Sequence, residues 1–206
     1  MDDGKVSNLK IKCLVLKYPE VTCKALKKSD YQEEYDAVVS HAPRAKFIRN
    51  LALSLEGNTL ILFQLVGRHG KPMFEGIRDS ATKHKVFFVH GGVETEERET
   101  IRKITEDSDN AIVVASYGTF QLGINIKNLH NIIFAGPSKS RIRNLQSIGR
   151  GLRLSDKKPH ATLFDIVDDL RIGKHVNFLL KHYAERAILY GDEKFPFKQY
   201  MIDLKE

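Results

Sequence analysis

The chain has 206 residues, of which 42% are hydrophobic and 29% charged, as in an ordinary globular protein with one sizeable domain. No apolar run approaches the roughly 20 residues that cross a bilayer, and the first residues lack the apolar core of a signal peptide. We therefore expect a cytoplasmic protein without a membrane segment. The formal net charge of +7 favours a polyanionic partner. The two cysteines and eight histidines lack the spacing of metal ligands, so we predict no metal site.

The first forty residues differ in pattern from the rest of the chain. Residues 9–16 begin with alternating apolar and polar side chains, which is typical of an edge strand. Residues 31–35 fit either the start of a helix or a polar connector. We therefore predict an N-terminal strand and connector segment at 1–40, followed by one larger domain at 41–206.

Short apolar runs alternate with helical patterns along that larger domain. The runs at 60–64, 86–89, 111–115, 132–135 and 161–167 are continuous, which is typical of strands buried on both faces of a parallel sheet. Apolar residues at helical spacing predict helices over 43–55, 94–106, 140–149 and 173–190. This alternation predicts an α/β fold with a parallel sheet and right-handed crossovers.

The chain lacks a recognisable glycine loop for nucleotide phosphates. Such a loop ends in Lys followed by Ser or Thr, whereas the nearest candidate, 67–72, has closely spaced glycines and ends in Pro72, which also removes an amide donor. The acids in 165–169 resemble the acidic pair of an ATPase strand. Without the loop, we interpret them as strand-end caps and solvated carboxylates. We expect the isolated chain not to hydrolyse ATP.

Arginines and glycines are interleaved in the segment 146–153, Gln-Ser-Ile-Gly-Arg-Gly-Leu-Arg. On a helix, the spacing of Arg150 and Arg153 places both guanidinium groups on one face. Such groups bind phosphate oxygens, and an arginine from a second domain can stabilise charge on a transferring phosphoryl group. Two ordinary surface arginines are the less favoured interpretation. The surrounding stretch 138–160 is strongly basic, which favours phosphate contacts.

The segment 146–153 resembles motif VI of superfamily 2 helicases, whose pattern in many DNA-directed members is Gln-x-x-Gly-Arg-x-x-Arg. In the order of that family, 60–64 resembles motif IV, 89–92 the next strand with its glycine turn, and 112–126 motif V. The finer pattern, with 69–72, is similar to recombination helicases of bacteriophages. The resemblance implies a RecA-like parallel sheet flanked by helices, the helicase C-terminal domain.

The resemblance also implies roles for single residues. Arg153 would be the arginine finger and Arg150 a second γ-phosphate contact. ATP and Mg²⁺ would be bound mainly by a first RecA-like domain outside this chain. The sequence departs from the pattern at Asn125, where many relatives have Asp, and at Gly118-Thr119, which differs from the commoner DEAD-box pattern. Contacts with the nucleotide would come from Gly123, Asn125 and Gln146, and contacts with DNA from Gln64, His90, Ser116, Thr119, Lys139 and Arg143.

The implied function is the second motor domain of an ATP-dependent helicase or translocase that acts on single-stranded or branched DNA in recombination or repair. Three alternatives stay open: a non-catalytic nucleic-acid-binding module of the same fold, half of an RNA helicase, and a nucleotide-binding enzyme that acts alone. For His69 and Lys71, contact with DNA phosphates and simple solvation of the loop are both compatible with the sequence.

Overall fold

Seven strands form one parallel sheet in the computed structural model, which describes residues 9–121, 126, 128–136 and 161–205. The strands are β1 Leu9–Lys17, β2 Thr59–Phe63, β3 Lys85–Val89, β4 Ala111–Ser116, β5 Asn131–Phe134, β6 Ala161–Asp169 and β7 Phe197–Asp203. Their order across the sheet is β3-β4-β2-β5-β6-β1-β7, and every neighbouring pair is parallel. The predicted parallel α/β fold is confirmed.

Helices cover both faces of this sheet. They are α1 Glu20–Leu26, α2 Tyr31–Val39, α3 Ala42–Ser54, α4 Lys71–Ser80, α5 Thr95–Glu106, α6 Tyr117–Gln121 and α7 Phe178–Asp192. The five predicted strands and the helices predicted over 43–55 and 94–106 are confirmed within a few residues. The helix predicted at 140–149 lies outside the described residues. No helix in the described part of the chain is long and apolar enough to cross a membrane.

Strand β1 lies inside the sheet, so the prediction of an edge strand is wrong. It pairs in parallel with β6 on one side, Leu9 opposite Ala161, and with β7 on the other. Its alternating pattern arises because Lys10 and Lys12 remain exposed while the residues between them are buried. The edge strand on this side of the sheet is β7, which the sequence pattern did not predict. The division of the chain at residue 40 stays a prediction, and β1 shares one sheet with the strands of the predicted larger domain.

The two faces of the sheet build two hydrophobic cores. One contains the buried residues of α5 and most of those of α7. The other contains those of α1, α2, α3 and α4. Successive strand residues point to opposite faces, so β6 contributes Leu163 and Val167 to the first core and Phe164 and Ile166 to the second. Each core buries a continuous apolar surface, which is the main favourable contribution to folding.

All seven strands run in one direction, so their C-terminal ends lie along one side of the sheet, here called the carboxyl edge. Helix α3 precedes β2 and α4 follows it, so both helices begin at this edge. Each has a proline in its first turn, where the missing amide hydrogen costs no helical hydrogen bond. Gly57, with φ of +84°, turns the chain from α3 into β2 at the opposite edge.

Helix α7 begins at Phe178, five residues later than predicted. Gly173, with φ of +58°, and an antiparallel bridge between Ile172 and His175 occupy the intervening turn. The buried carboxylate of Glu34, from α2, accepts hydrogen bonds from the amides of Phe178 and Leu179 at 3.0 and 2.8 Å. A carboxylate at this position satisfies free amides and complements the helix dipole.

Candidate nucleic-acid interface

Three predicted site residues lie together at the carboxyl edge, at the ends of three neighbouring strands. Ser116 ends β4, and in the sheet register it lies opposite Phe63, the residue before Gln64. On the other side of β4, Val89 pairs with Ala115, which places His90 beside Ser116. The strand order β3-β4-β2 therefore gathers His90, Ser116 and Gln64 at one place. Strand-to-helix turns at such an edge are common ligand sites.

The hydroxyl groups of Ser116 and Thr119 bond to each other across 2.6 Å. The amide of Thr119 also donates to Oγ of Ser116, at 3.3 Å. Thr119 is only 1% exposed, so its hydroxyl serves the turn into α6 in this structure. The hydroxyl of Tyr117 donates to the carbonyl of Gly136, 3.1 Å away, and ties this turn to the end of β5. Contact of Ser116 and Thr119 with a DNA phosphate stays a prediction and requires this turn to open.

Gln64 and His90 occupy partly exposed positions beside that turn. The Oε1 atom of Gln64 is buried and has no hydrogen-bond partner within the described residues. Nδ1 of His90 accepts a hydrogen bond from the amide of Gly92, at 3.1 Å, so its ring is held in the glycine turn. A free amide oxygen does not attract a phosphate, but the Gln64 amide nitrogen and the second ring nitrogen of His90 are potential donors.

His69 is buried, only 3% exposed, so in this structure it does not face solvent or DNA. It lies in the π-helical turn Val66–Gly70 before α4, with its ring edge-on to Phe63. Neither ring nitrogen has a hydrogen-bond partner within the described part of the chain. Burial, with the positive charge of Arg44, lowers the pKa of His69 to about 3. The neighbouring Lys71 is exposed at the start of α4, where its side chain is accessible to a phosphate.

A buried arginine connects helix α3 to two strands of the sheet near the carboxyl edge. Arg44, on α3, is 1% exposed and forms a two-point ion pair with Asp168 on β6, at 2.7 and 3.1 Å. The same guanidinium donates to the carbonyl of Ala135, at 2.8 Å, and the hydroxyl of Tyr18 donates to Asp168, at 2.8 Å. Burial disfavours the charge on Arg44, but the adjacent carboxylate outweighs it and raises the pKa of Arg44. We call Arg44 and Asp168 the α3-side pair.

A second buried arginine lies on the opposite face of β6. Arg186, on α7, binds both oxygens of Asp165, at 3.0 and 2.9 Å. The hydroxyl of Tyr190 donates to the same carboxylate, at 2.8 Å. We call Arg186 and Asp165 the α7-side pair. Burial raises the pKa of the nearby Cys13 to about 12, so this thiol stays protonated at neutral pH.

These contacts correct the interpretation of the acids in β6. Asp165 and Asp168 are almost fully buried in ion pairs, so neither is a solvated carboxylate or a strand-end cap. The third acid, Asp169, binds Arg171 through both of its oxygens. Because all three carboxylates already have cationic partners, this strand end does not fit a Mg²⁺ site. The described residues include no cluster of potential metal ligands elsewhere either.

The predicted nucleotide contacts lie outside the described residues. This holds for Arg150 and Arg153, for Gly123, Asn125 and Gln146, and for the DNA contacts Lys139 and Arg143. The structure does define where the chain enters the region that carries most of them. Gly136 follows β5 at the carboxyl edge, where the amides of Ala135 and Gly136 both donate to the carbonyl of Leu62, at 3.0 Å.

A model of the helicase conserved C-terminal domain matches residues 43–155. The chain belongs to this family. The matched range includes all but the first residue of α3, the strands β2 to β5 and the segment 146–153. Strands β1, β6 and β7 lie outside the matched range but complete the same sheet.

Two comparisons relate this helicase C-terminal domain to a phage protein. It is 37% identical over 217 residues to the ATP-dependent DNA helicase UvsW of Enterobacteria phage T4, covering 99% of this chain and 43% of that protein. The crystal structure of T4 UvsW superposes with a TM-score of 0.84 at 36% identity, over 98% of this chain and 43% of that one. The chain therefore spans less than half the length of this relative.

A third comparison concerns the fold alone. The C-terminal domain of the DEAD-box protein Dbp5 superposes with a TM-score of 0.63 at 12% identity, covering 95% of this chain and 91% of that domain. The sheet and helices described here therefore share the fold of that domain.

Sequence reasoning missed the two buried arginines, although the sequence contains a signal for each. Arg44 is four residues before Ile48 and eight before Ala52, so it lies on the buried stripe of α3. Asp165 and Asp168 stand in a strand that is mostly apolar, and buried carboxylates require cationic or hydrogen-bonding partners. Together these signals predict buried ion pairs.

Proposed function

We propose that this helicase C-terminal domain is the second motor domain of an ATP-dependent DNA helicase or translocase. The supporting observation is the convergence at the carboxyl edge: Gln64, His90 and Ser116 lie there, and the chain leaves for the segment 146–153 from Gly136 at the same edge. The contacts with nucleic acid and the arginines that contact the nucleotide would then both be positioned by the carboxyl edge. The relation to UvsW favours DNA over RNA.

The division of labour follows from the chemistry of these residues. Arg153 supplies a guanidinium to the γ-phosphate of ATP, which a first RecA-like domain holds together with Mg²⁺, and Arg150 supplies a second contact. Gly123 and Asn125 lie near the nucleotide and help couple it to DNA, and Gln146 helps to orient the two arginines. Closing and reopening of the two domains then shifts the grip on backbone phosphates, which carry no sequence information. Branched DNA in recombination or repair is the substrate that the resemblance implies.

The deciding experiment joins this chain to its candidate first domain and measures DNA-stimulated ATP hydrolysis. Arg153→Ala should lower turnover by about a thousandfold or more, because an arginine finger acts on the transition state. Binding of a fluorescent ATP analogue should stay close to that of the parent. Arg141→Ala, in the same basic stretch but outside the motif, is the matched control and should retain turnover. Normal turnover in Arg153→Ala would remove this residue from the finger role.

A second measurement separates the motor domain from its alternatives. Hydrolysis of ATP by the isolated 206-residue chain would contradict the half-site assignment. Absence of turnover in the joined parent protein would instead favour a non-catalytic nucleic-acid-binding module. Preference for RNA over DNA as the stimulating strand would identify half of an RNA helicase.

The DNA contacts predicted outside the described residues have their own test. Lys139→Glu or Arg143→Glu should weaken binding of single-stranded DNA and reduce its salt dependence, by about 0.7 in the slope of log K against log salt for each phosphate that is no longer bound. Unchanged binding in both variants would show that these side chains belong to a solvated surface.

A further inference from the structure

A groove with a volume of about 480 Å³ runs between the N-terminal halves of α3 and α4. Lys46 and Arg49 from α3 and Lys205 from the end of the chain contribute its charged side chains. The remaining lining residues are apolar or glycine, and no carboxylate of the described residues lines it. We call it the basic groove.

The basic groove opens at the carboxyl edge but uses none of the motif-like residues. Helices α3 and α4 both begin at this edge, and Lys205 follows β7, which ends there. Gln64, His90, Ser116 and Thr119 do not line it. A nucleic-acid strand that lies on the carboxyl edge can therefore continue into the basic groove. There it would contact a separate set of side chains.

The three basic side chains of the groove are not neutralised by the described part of the chain. None of Lys46, Arg49 and Lys205 takes part in an ion pair between described residues. Other exposed arginines nearby do have such partners, as Arg68 does with Asp36 at 3.0 Å. Lys46 and Arg49 are also three positions apart on one helix, where like charges destabilise it. A bound anion would remove that repulsion.

Gly76 lies in the middle of α4 and lines the same groove. A helix with a glycine in its interior is less stable than the same helix with an alanine there, so close packing usually explains such a glycine. Here packing does not, because a Cβ atom at Gly76 would meet no other atom of the described residues within 4 Å. The missing side chain instead leaves open space in the groove, which a ligand backbone can approach closely.

We propose that the basic groove binds backbone phosphates of the same DNA strand that occupies the carboxyl edge, with Lys46, Arg49 and Lys205 as the phosphate contacts. The inference rests on the proposed function for the identity of the polyanion. Clustered cations beside an open, acid-free surface fit a phosphodiester chain, and contacts of this kind hold any sequence equally well. The groove extends the DNA path beyond the family motifs.

The test measures binding of a fluorescent oligothymidine to the 206-residue chain as a function of salt. The double variant Lys46→Gln/Arg49→Gln should bind about tenfold more weakly at low salt, with a slope reduced by about 1.4 because two phosphates are no longer neutralised. The matched control is Lys83→Gln/Lys103→Gln, which removes two exposed lysines from the opposite edge of the sheet. That control should retain both the affinity and the slope.

A pair of variants at Gly76 tests the groove without changing its charge. Gly76→Leu should fill the space and weaken binding of the oligothymidine, whereas Gly76→Ala should raise the melting temperature and retain binding. Full affinity in Lys46→Gln/Arg49→Gln, or equal losses of affinity in the two double variants, would overturn the proposal. Because binding is measured without ATP turnover, a failure here is distinct from a failure of Arg153 in the joined protein.

Discussion

The α3-side pair and the α7-side pair are built from the same two residue types on the same strand, but they hold different parts of the molecule. Asp165 and Asp168 are three positions apart on β6, so they point to opposite faces of the sheet. Each binds an arginine through both oxygens and accepts a tyrosine hydroxyl.

The arginine of the α3-side pair also contacts the end of a neighbouring strand. Arg44 also donates to the carbonyl of Ala135, the residue after β5, and so joins α3, β5 and β6 at the carboxyl edge. Arg186 connects α7 to β6 through Asp165 and docks that helix against the sheet. The α3-side pair therefore stabilises the edge from which the chain proceeds toward the arginine motif. The α7-side pair stabilises the packing of α7 against the sheet.

The two sides also differ in how burial shifts the pKa values of some of their titratable groups. On the α3 side, burial followed by the charge of Arg44 lowers the pKa of both His41 and His69. On the α7 side, burial raises the pKa of Cys13, Tyr183 and Tyr190. The α3 side thus responds to acid, whereas these three groups of the α7 side stay protonated from acid to mildly alkaline pH.

The largest expected effect comes from removing one arginine of a pair. Arg44→Met and Arg186→Met should each lower the free energy of unfolding by about 3–5 kcal/mol, because each leaves a buried carboxylate without its cation. Urea denaturation of both variants measures this decrease.

Hydrogen exchange then distinguishes the two pairs. Arg44→Met should accelerate exchange of the Ala135 and Gly136 amides, which bond to Leu62 at the carboxyl edge. Arg186→Met should accelerate exchange in α7 and leave those two amides protected. Equal exchange at the carboxyl edge in both variants would contradict the positioning role of Arg44.

The next largest effect is a pH dependence that belongs to the α3 side. His69 has a pKa of about 3 in the folded chain, against about 6.5 when unfolded, so the unfolded state binds more protons between these values. Stability is fully present above pH 6.5 and falls toward pH 3, by up to about 1.4 kcal/mol per pH unit for one proton. Urea denaturation at a series of pH values should show this slope.

His69→Leu is the variant that isolates this contribution. Leucine has a similar volume and no polar atom to leave unpaired in the buried turn, so stability at pH 7 should be retained or increased. The slope below about pH 6.5 should become shallower. A slope identical to the parent would mean that other groups, His41 first among them, carry the acid sensitivity.

The sequence predicts most of the sheet because its strands are buried on both faces. Continuous apolar runs such as 111–115 have few alternatives to a central parallel strand, and β4 is buried throughout. It does not predict β7, whose residues are largely exposed at the edge and lack an apolar run. It also misses α4, because Pro72 and Gly76 are typical of turns, although the first suits a helix start and the second lies beside the basic groove.

The site follows from the sequence only where it depends on strand ends. A parallel sheet necessarily gathers Gln64, His90 and Ser116 along one edge, so their proximity is predictable from strand order and register. The ion pairs are harder to predict because Arg44 and Asp168 are 124 positions apart, and composition alone does not select one partner among many arginines. The sequence also does not predict how side chains at the site are oriented. The hydroxyl groups of Ser116 and Thr119, for example, bond to each other.

The smallest expected effect comes from replacing a whole network instead of one member. Asp165→Leu/Arg186→Met/Tyr190→Phe removes both charges and the hydroxyl together, so neither member of the pair leaves the other buried alone, and stability should stay within about 1 kcal/mol of the parent. The corresponding variant Tyr18→Phe/Arg44→Met/Asp168→Leu should remain less stable, by about 1–3 kcal/mol, because the carbonyl of Ala135 loses its Arg44 donor. Urea denaturation of the two triple variants measures that difference directly. If both recover equally, the bond from Arg44 to Ala135 contributes nothing, and the two pairs are equivalent supports of one sheet.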